Sequence, residues 1–224
     1  MLRKFIKKII QYTYRPYVMH QIQADRFYEA EGIRILVKKG VFHPGFFFSS
    51  RFLLNELKKE NLTGKKVLEL GAGSGLLSFW AASKKASVTA TDISTSAIDG
   101  LLLNRNSLML SEENFQIILS DLFAQIPLRH FDYIIINPPY YPQTPVHEWE
   151  LAWYCGKDYN YFTKLFSEIG SYMQPGTRVW ISLSEDCNIE QLQQIAHTNQ
   201  LHLHLLISNY FWGEKNFIFE LKTV

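Results

Sequence analysis

The run Lys66-Val67-Leu68-Glu69-Leu70-Gly71-Ala72-Gly73-Ser74-Gly75, followed by the apolar stretch from Leu76 to Ser83, decides the fold class. An aliphatic strand, a glycine-rich turn and a helix, in that order, open a nucleotide-type α/β unit. The glycines let the backbone come close to a ligand, and the start of the helix offers unpaired N–H groups. The spacing is G-x-G-x-G, not the G-x-G-x-x-G that seats a pyrophosphate. A glycine-rich turn of this kind also occurs for packing reasons alone, so the rest of the chain has to decide between the two.

Working outward, the next two strands each end on an acid. Ala86 to Thr91 stops at Asp92, and Phe115 to Leu119 is followed by Ser120-Asp121. An acid about 20 residues past the glycines, at a strand's carboxyl end, is placed to bind ribose hydroxyls. Asp121 is placed to accept from an adenine amino group. Each acid alone has a plainer explanation, a cap on the helix beginning near Ser94 for Asp92 and a turn aspartate for Asp121. Glu69, Asp92 and Asp121 ending three successive strands form a more specific set than any one of them.

A fourth buried strand, Phe131-Asp132-Tyr133-Ile134-Ile135-Ile136, runs into Asn137-Pro138-Pro139-Tyr140. The prolines stop the strand and stiffen the backbone just past its carboxyl end, where ligands sit in open α/β sheets. An amide acceptor, a rigid backbone carbonyl and a flat ring together suit a planar substrate bearing an NH2 group. A strand-ending turn with a surface tyrosine is the bland alternative. Tyr141 to Glu150 reads as a loop that could gate a substrate. Helices follow over Tyr159 to Met173 and Ile189 to Thr198. Strands follow over Arg178 to Leu183, Leu201 to Ile207 and Asn216 to Leu221, the last two forming an antiparallel closing hairpin. The predicted fold is therefore α/β and doubly wound, with seven mostly parallel strands and a reversed last strand.

Upstream, residues 1–22 carry Arg3, Lys4, Lys7, Lys8 and Arg15 and no acid, with Leu2, Phe5, Ile6, Ile9 and Ile10 at helical spacing. This basic amphipathic helix could rest on nucleic acid, on an acidic partner or on a membrane surface, or pack on the domain with its lysines solvated. Ile33 to Val37 and Val41-Phe42 read as a hairpin around Lys38-Lys39-Gly40. A helix from about Ser49 has Ser49 or Ser50 as its N-cap. The division expected is an extension over 1–45 and the main domain over 46–224. The net charge of +2 is too small to argue for nucleic acid by itself. Two cysteines, Cys155 and Cys187, make no disulfide framework. With no signal peptide or bilayer-spanning run, a cytoplasmic location is expected. His202 and His204 share a strand face but lack a third ligand, so no metal is expected. His43 and His147 flank the site.

Taken together, these motifs resemble those of the class I S-adenosylmethionine-dependent methyltransferases, over about residues 40–224. Within that class the chain resembles the amino-methyltransferases with an Asn-Pro-Pro-Tyr motif, and in particular the HemK-type protein-glutamine methyltransferases. Val41-Phe42-His43-Pro44 is similar to the segment that branch places before its cofactor domain. Glu150-Leu151-Ala152-Trp153-Tyr154-Cys155-Gly156-Lys157-Asp158 is similar to the run it carries after the motif. Gly45-Phe46-Phe47-Phe48 stands where the branch usually has an acid. The resemblance implies S-adenosylmethionine as cofactor, bound by Glu69, Gly71, Gly73, Gly75, Asp92, Ile93, Asp121, Leu122 and Asn137. It implies Asn137, Pro138, Pro139 and Tyr140 as the catalytic residues. The implied acceptor is a protein glutamine side chain. The competing acceptor is an adenine N6 or guanine N2 of RNA or DNA, with Arg3, Lys4, Lys7 and Lys8 on the backbone and Phe46-Phe47-Phe48 on the base. A non-catalytic scaffold is the remoter alternative.

Overall fold

The computed structural model describes Val18, residues 20–211 and residues 213–224. The basic stretch with Arg3, Lys4, Lys7 and Lys8 lies outside them. A hairpin comes first, β1 (Arg26–Ala30) and β2 (Ile33–Val37). Helix α1 (Phe48–Leu57) leads into β3 (Lys66–Leu70), α2 (Leu76–Ser83), β4 (Ser87–Asp92), α3 (Thr95–Ser107) and β5 (Phe115–Leu119). The second half holds β6 (Tyr133–Ile136), α4 (Asn160–Ile169), β7 (Arg178–Ser184), α5 (Ile189–Thr198), β8 (Leu201–Phe211) and β9 (Glu214–Thr223).

Seven of these strands form one sheet in the order β5-β4-β3-β6-β7-β9-β8. The five from β5 to β7 are parallel, and β9 runs antiparallel to both β7 and β8. The reversed last strand expected from the closing hairpin is therefore present. The chain winds outward from β3 to β5, then crosses back to place β6 on the other side of β3. That reversal leaves a crevice beyond the carboxyl ends of β3 and β6.

Alternation along the central strands feeds two cores. Tyr133 and Ile135 of β6 join a core with Phe52, Leu53 and Leu57 of α1, Leu76 and Phe79 of α2, and Leu101 of α3. Ile134 and Ile136 face the opposite core, with Phe162, Leu165 and Phe166 of α4 and Leu192 of α5. A strand buried on both faces needs no polar side chains, which is why β6 reads as an unbroken apolar run. The hairpin adds Ile33, Ile35 and Val37 to the first core.

Several local expectations are corrected. The hairpin is not Ile33–Val37 with Val41-Phe42: β2 pairs with the preceding β1 across Glu31-Gly32, whose φ values of 52° and 76° make a turn with the twist a two-residue hairpin needs. Neither Ser49 nor Ser50 caps α1; the N-cap is Phe47, with no side-chain hydrogen bond. The α4 helix ends at Ile169 and continues as a short 3-10 turn, Gly170–Tyr172. The loop after β6 contains a 3-10 turn, Glu148–Ala152. Among the described residues no helix is long and apolar enough to cross a membrane.

Gly75 is the N-cap of α2, in the left-handed region at φ 78°. A Cβ there would lie 2.4 Å from Leu101 and 2.7 Å from Phe79. Gly75→Ala should therefore lower unfolding stability by about 2–4 kcal/mol through overpacking and the left-handed penalty, read by urea denaturation. An unchanged midpoint would show that the α2–α3 packing yields without cost.

Candidate active site

A cavity of about 450 Å³ lies over the carboxyl ends of β3, β4 and β6. Gly71 and Gly73 form part of its floor, both in the left-handed region at φ 69° and 52°. A Cβ on Gly71 would meet nothing within 4 Å and would project into open space. The turn is thus a cradle whose free volume depends on glycine. Gly75 is not among the residues lining the cavity; its place is in the packing described above.

The three strand-end acids all line the cavity, each held differently. Glu69 is 4% exposed. Its Oε2 accepts from the Ser78 N–H at 2.8 Å and from the Ser78 hydroxyl. Burial pushes its carboxyl up to about 8; the Ser78 bonds oppose that rise, and the Asp92 charge adds to it. Asp92 ends β4 and ties the glycine turn to it, accepting from Gly73 N at 2.7 Å and from Ser94 N at 2.9 Å. The local capping contact expected for an aspartate here is present together with the contact across strands. Asp121 pairs with Lys164 of α4 at 2.6 Å. Ile93 and Leu122, next to the acids, also line the cavity.

Across the cavity, Asn137, Pro138, Pro139 and Tyr140 continue from β6. The Asn137 amide is held at both ends. Its Oδ1 accepts from Ser182 Oγ at 2.6 Å, and its Nδ2 donates to Ser50 Oγ at 3.2 Å. Burial raises the Tyr140 phenol well above its ordinary value, so that ring is a neutral flat surface. The same holds for Tyr161 of α4, raised by burial and by Asp92 and Asp121.

Phe42, Trp149 and Trp153 also line the cavity. Phe47 stacks on Phe42 at 4.5 Å and meets Trp153 edge-on at 4.6 Å. The loop carrying the tryptophans is pinned at its base: Tyr141 N donates to Trp153 O, Cys155 N to Tyr141 O and Gly156 N to Gln143 O, each at 3.0 Å. His43 and His147 do not line the cavity. His43 is buried against Tyr28 and Phe46, and His147 stacks on Trp149. No group of three metal-ligating side chains occurs among the described residues.

As site residues, sequence reasoning missed Ser50, Ser182, Tyr161, Lys164 and the aromatics Phe42, Trp149 and Trp153. A polar Ser182 within the apolar run Val179-Trp180-Ile181 was a usable signal, since a hydroxyl buried there has to find a partner. Lys164 and Tyr161 carried none, because their approach depends on how α4 packs. For S-adenosylmethionine the lining is suited in charge: even with Glu69 held protonated by burial and Asp121 offset by Lys164, Asp92 leaves net negative charge for a cationic sulfonium, beside a glycine cradle open to a ligand.

The Glu69 shift has a consequence for stability. An unfolded glutamate titrates near about 4.3. Between that value and about 8 the folded protein holds a proton that the unfolded chain has released. Stability is therefore greatest below the lower value and falls as pH rises through the upper one. Glu69→Gln retains an acceptor for Ser78 and removes the ionisation. Its melting temperature should decline less than that of the parent between about pH 6 and pH 9. Parallel curves for the two proteins would exclude Glu69 as the source.

Comparison with known proteins gives the family and the fold. The Methyltransferase small domain family matches residues 32–202. A ribosomal RNA small subunit methyltransferase C of Escherichia coli is 32% identical over 127 residues, covering 54% of this chain and 35% of that protein. A Methanocaldococcus jannaschii protein named "Putative protein N5-glutamine methyltransferase" is 35% identical over 115 residues, covering 51% of this chain and 54% of that one. The chain thus matches between about a third and about half of the length of these curated relatives. The structure of the T. thermophilus 16S rRNA N2 G1207 methyltransferase, with AdoMet and guanosine, superposes with a TM-score of 0.62 at 18% identity, covering 88% of this chain and 50% of that one. With more than half of its length matched, the chain belongs to the Methyltransferase small domain family.

Proposed function

We propose that the protein is an S-adenosylmethionine-dependent N-methyltransferase whose acceptor is a planar amide or amino nitrogen, with a protein glutamine side chain the best fit. The observation that carries this is the Asn137 amide, fixed at the mouth of β6 beside a cavity whose other wall is the glycine turn and its acids. When bound, S-adenosylmethionine supplies a methyl carbon made electrophilic by its sulfonium, without need of a metal.

The residues of this chain then have the task of making a poor nucleophile reactive. The lone pair of an amide or exocyclic amine is delocalised into its π system. Asn137 Oδ1 and the Pro138 carbonyl accept its two N–H groups, which favours a pyramidal nitrogen and the positive charge growing on it. Such bonds strengthen towards the transition state. Pro138 and Pro139 keep the two acceptors from drifting. Tyr140, neutral and flat, stacks on the acceptor plane. The proton leaves after transfer, so no strong base is required, and fixed in-line geometry supplies much of the remaining acceleration.

The glutamine acceptor is supported by charge. Among the described residues lining the cavity Lys164 is the one cation, and it is engaged by Asp121. A neutral amide needs no cation, whereas a nucleotide brings phosphates that do. The relative from M. jannaschii carries a glutamine methyltransferase name. A second acceptor, guanine N2, is favoured by the 32% identity to the ribosomal RNA enzyme of E. coli. The same proposal places the enzyme in the cytoplasm, where Cys155 and Cys187, both free thiols, stay reduced.

Labelled-methyl transfer from S-adenosylmethionine into cell lysate, with protein and RNA fractions counted separately, tests the reading. Label in protein, recovered as methylglutamine after digestion, is expected; label in RNA alone transfers the assignment to the base. Asn137→Ala should abolish turnover while cofactor affinity stays near that of the parent, and a comparable loss of cofactor binding would take Asn137 out of the acceptor role. Asp92→Ala should weaken cofactor binding by about 1–3 kcal/mol in calorimetry, the scale of buried hydrogen bonds left unmade. An unchanged affinity would refute a ribose role for Asp92.

A further inference from the structure

Two hydroxyls that the proposed chemistry does not use converge on the side chain it depends on. Ser182 Oγ donates to Asn137 Oδ1 at 2.6 Å, and Asn137 Nδ2 donates to Ser50 Oγ at 3.2 Å. Their meeting follows from the register. Ile136 lies opposite Ile181 in the parallel β6–β7 pair, so the next residues, Asn137 and Ser182, are neighbours. Period-2 alternation turns both to the face of Tyr133, Ile135 and Trp180, and α1, which carries Ser50, packs on that face. Ser182 is 2% exposed. A serine at such a strand position could satisfy itself on a nearby backbone carbonyl; here it bonds to the site asparagine instead.

Resting on the acceptor role given to Asn137 above, we infer that Ser182 and Ser50 are positioning residues for methyl transfer, holding the plane of the Asn137 amide with its carbonyl edge towards the acceptor nitrogen. The last torsion of an asparagine is broad and roughly two-fold. An amide free to rotate would spend part of its time presenting NH2 to the acceptor's NH2, donor against donor. Ser182 takes one lone pair of Oδ1 and leaves the second for the incoming N–H. Ser50, by accepting from Nδ2, draws density towards the carbonyl and makes it the better acceptor.

The test uses the full chain, S-adenosylmethionine as the varied substrate, and lysate protein from cells lacking the enzyme as a fixed acceptor pool. Ser182→Ala and Ser50→Ala should each lower kcat about tenfold, the worth of one neutral hydrogen bond, with KM for S-adenosylmethionine within about twofold. Ser182→Thr, which keeps the hydroxyl, should recover most of the rate. In nitrogen-15 spectra the Asn137 side-chain amide, assigned by its disappearance in Asn137→Ala, should exchange its protons slowly in the parent and faster in Ser182→Ala. Undiminished kcat in both alanine variants, or unchanged exchange in Ser182→Ala, overturns the positioning role. So does a rate loss that Ser182→Thr fails to restore while melting temperature falls in step, since that pattern belongs to packing. An active Asn137→Ala protein, by contrast, sinks the acceptor reading itself.

Discussion

The parallel ladder joining β3, β6 and β7 is the constraint on which the rest depends. With Leu70 opposite Ile136, and Ile136 opposite Ile181, β3 and β6 leave the sheet at the same level while β7 runs on beside them to Ser184. The first becomes the glycine turn, the second the Asn137-Pro138-Pro139 corner, and β7 presents Ser182 to that corner. A slip of one residue in β6 would turn Asn137 to the opposite face, away from Ser182 and α1. The apolar residues on both faces of β6 forbid that slip, because it would exchange Tyr133 and Ile135 with Ile134 and Ile136 between two differently packed cores. Placement of the site is therefore a by-product of core packing.

Three carboxylates around one cavity pose an electrostatic problem, and the chain answers it in three ways. Glu69 is buried and its proton affinity rises, so near neutrality it is largely uncharged. Asp92 shares its charge with two backbone N–H groups. Asp121, at the open edge, is offset by Lys164, and both are partly exposed, so that pair contributes little to stability. The arrangement limits repulsion among the three carboxyl groups and still favours a cation entering the cavity. Arrival of positive charge beside Glu69 would lower its proton affinity, so ligand charge and the Glu69 proton compete for one carboxylate.

How much of this is legible in the sequence varies with the range of the interaction. The strands β3 to β6 and the helices between them follow from local patterns: aliphatic runs, the glycines, an acid at or just past the ends of β3, β4 and β5, and the prolines after β6. Phe115 to Leu119 and Ile189 to Thr198 are found with the boundaries read from pattern alone. The hairpin is displaced, because Arg26–Ala30 has little apolar alternation and only the Glu31-Gly32 turn signals its pairing. The glycines and acids of the site are visible because each sits at a strand's end. Ser50, Lys164 and Tyr161 are not visible, because each reaches the cavity from a helix whose docking no local pattern encodes. Gly75 illustrates the converse: it belongs to the same glycine-rich motif, yet it serves the contact with Leu101 and Phe79 rather than the cavity floor.

The aromatic side of the cavity explains why a pre-formed slot suits a flat, neutral group. Phe42 and Phe47 come from the segment before α1, and Trp149 and Trp153 from the loop after β6, more than a hundred residues later. The rings of Phe42, Phe47 and Trp153 pack on one another, so the loop after β6 cannot swing out without breaking aromatic contacts as well as its three backbone bonds. Ordering cost is thus met on folding rather than on binding, which favours a ligand that can offer few contacts of its own. The side-chain amide proposed above as acceptor would be such a ligand: small, uncharged and flat, with two donors to satisfy. On that proposal Tyr140 and the neighbouring rings would bury its faces, while only the carbonyls beyond β6 would have to meet its N–H groups. Recognition of the acceptor's remainder would then fall to the surface outside the cavity, and the chemistry to the one corner that the sheet holds still.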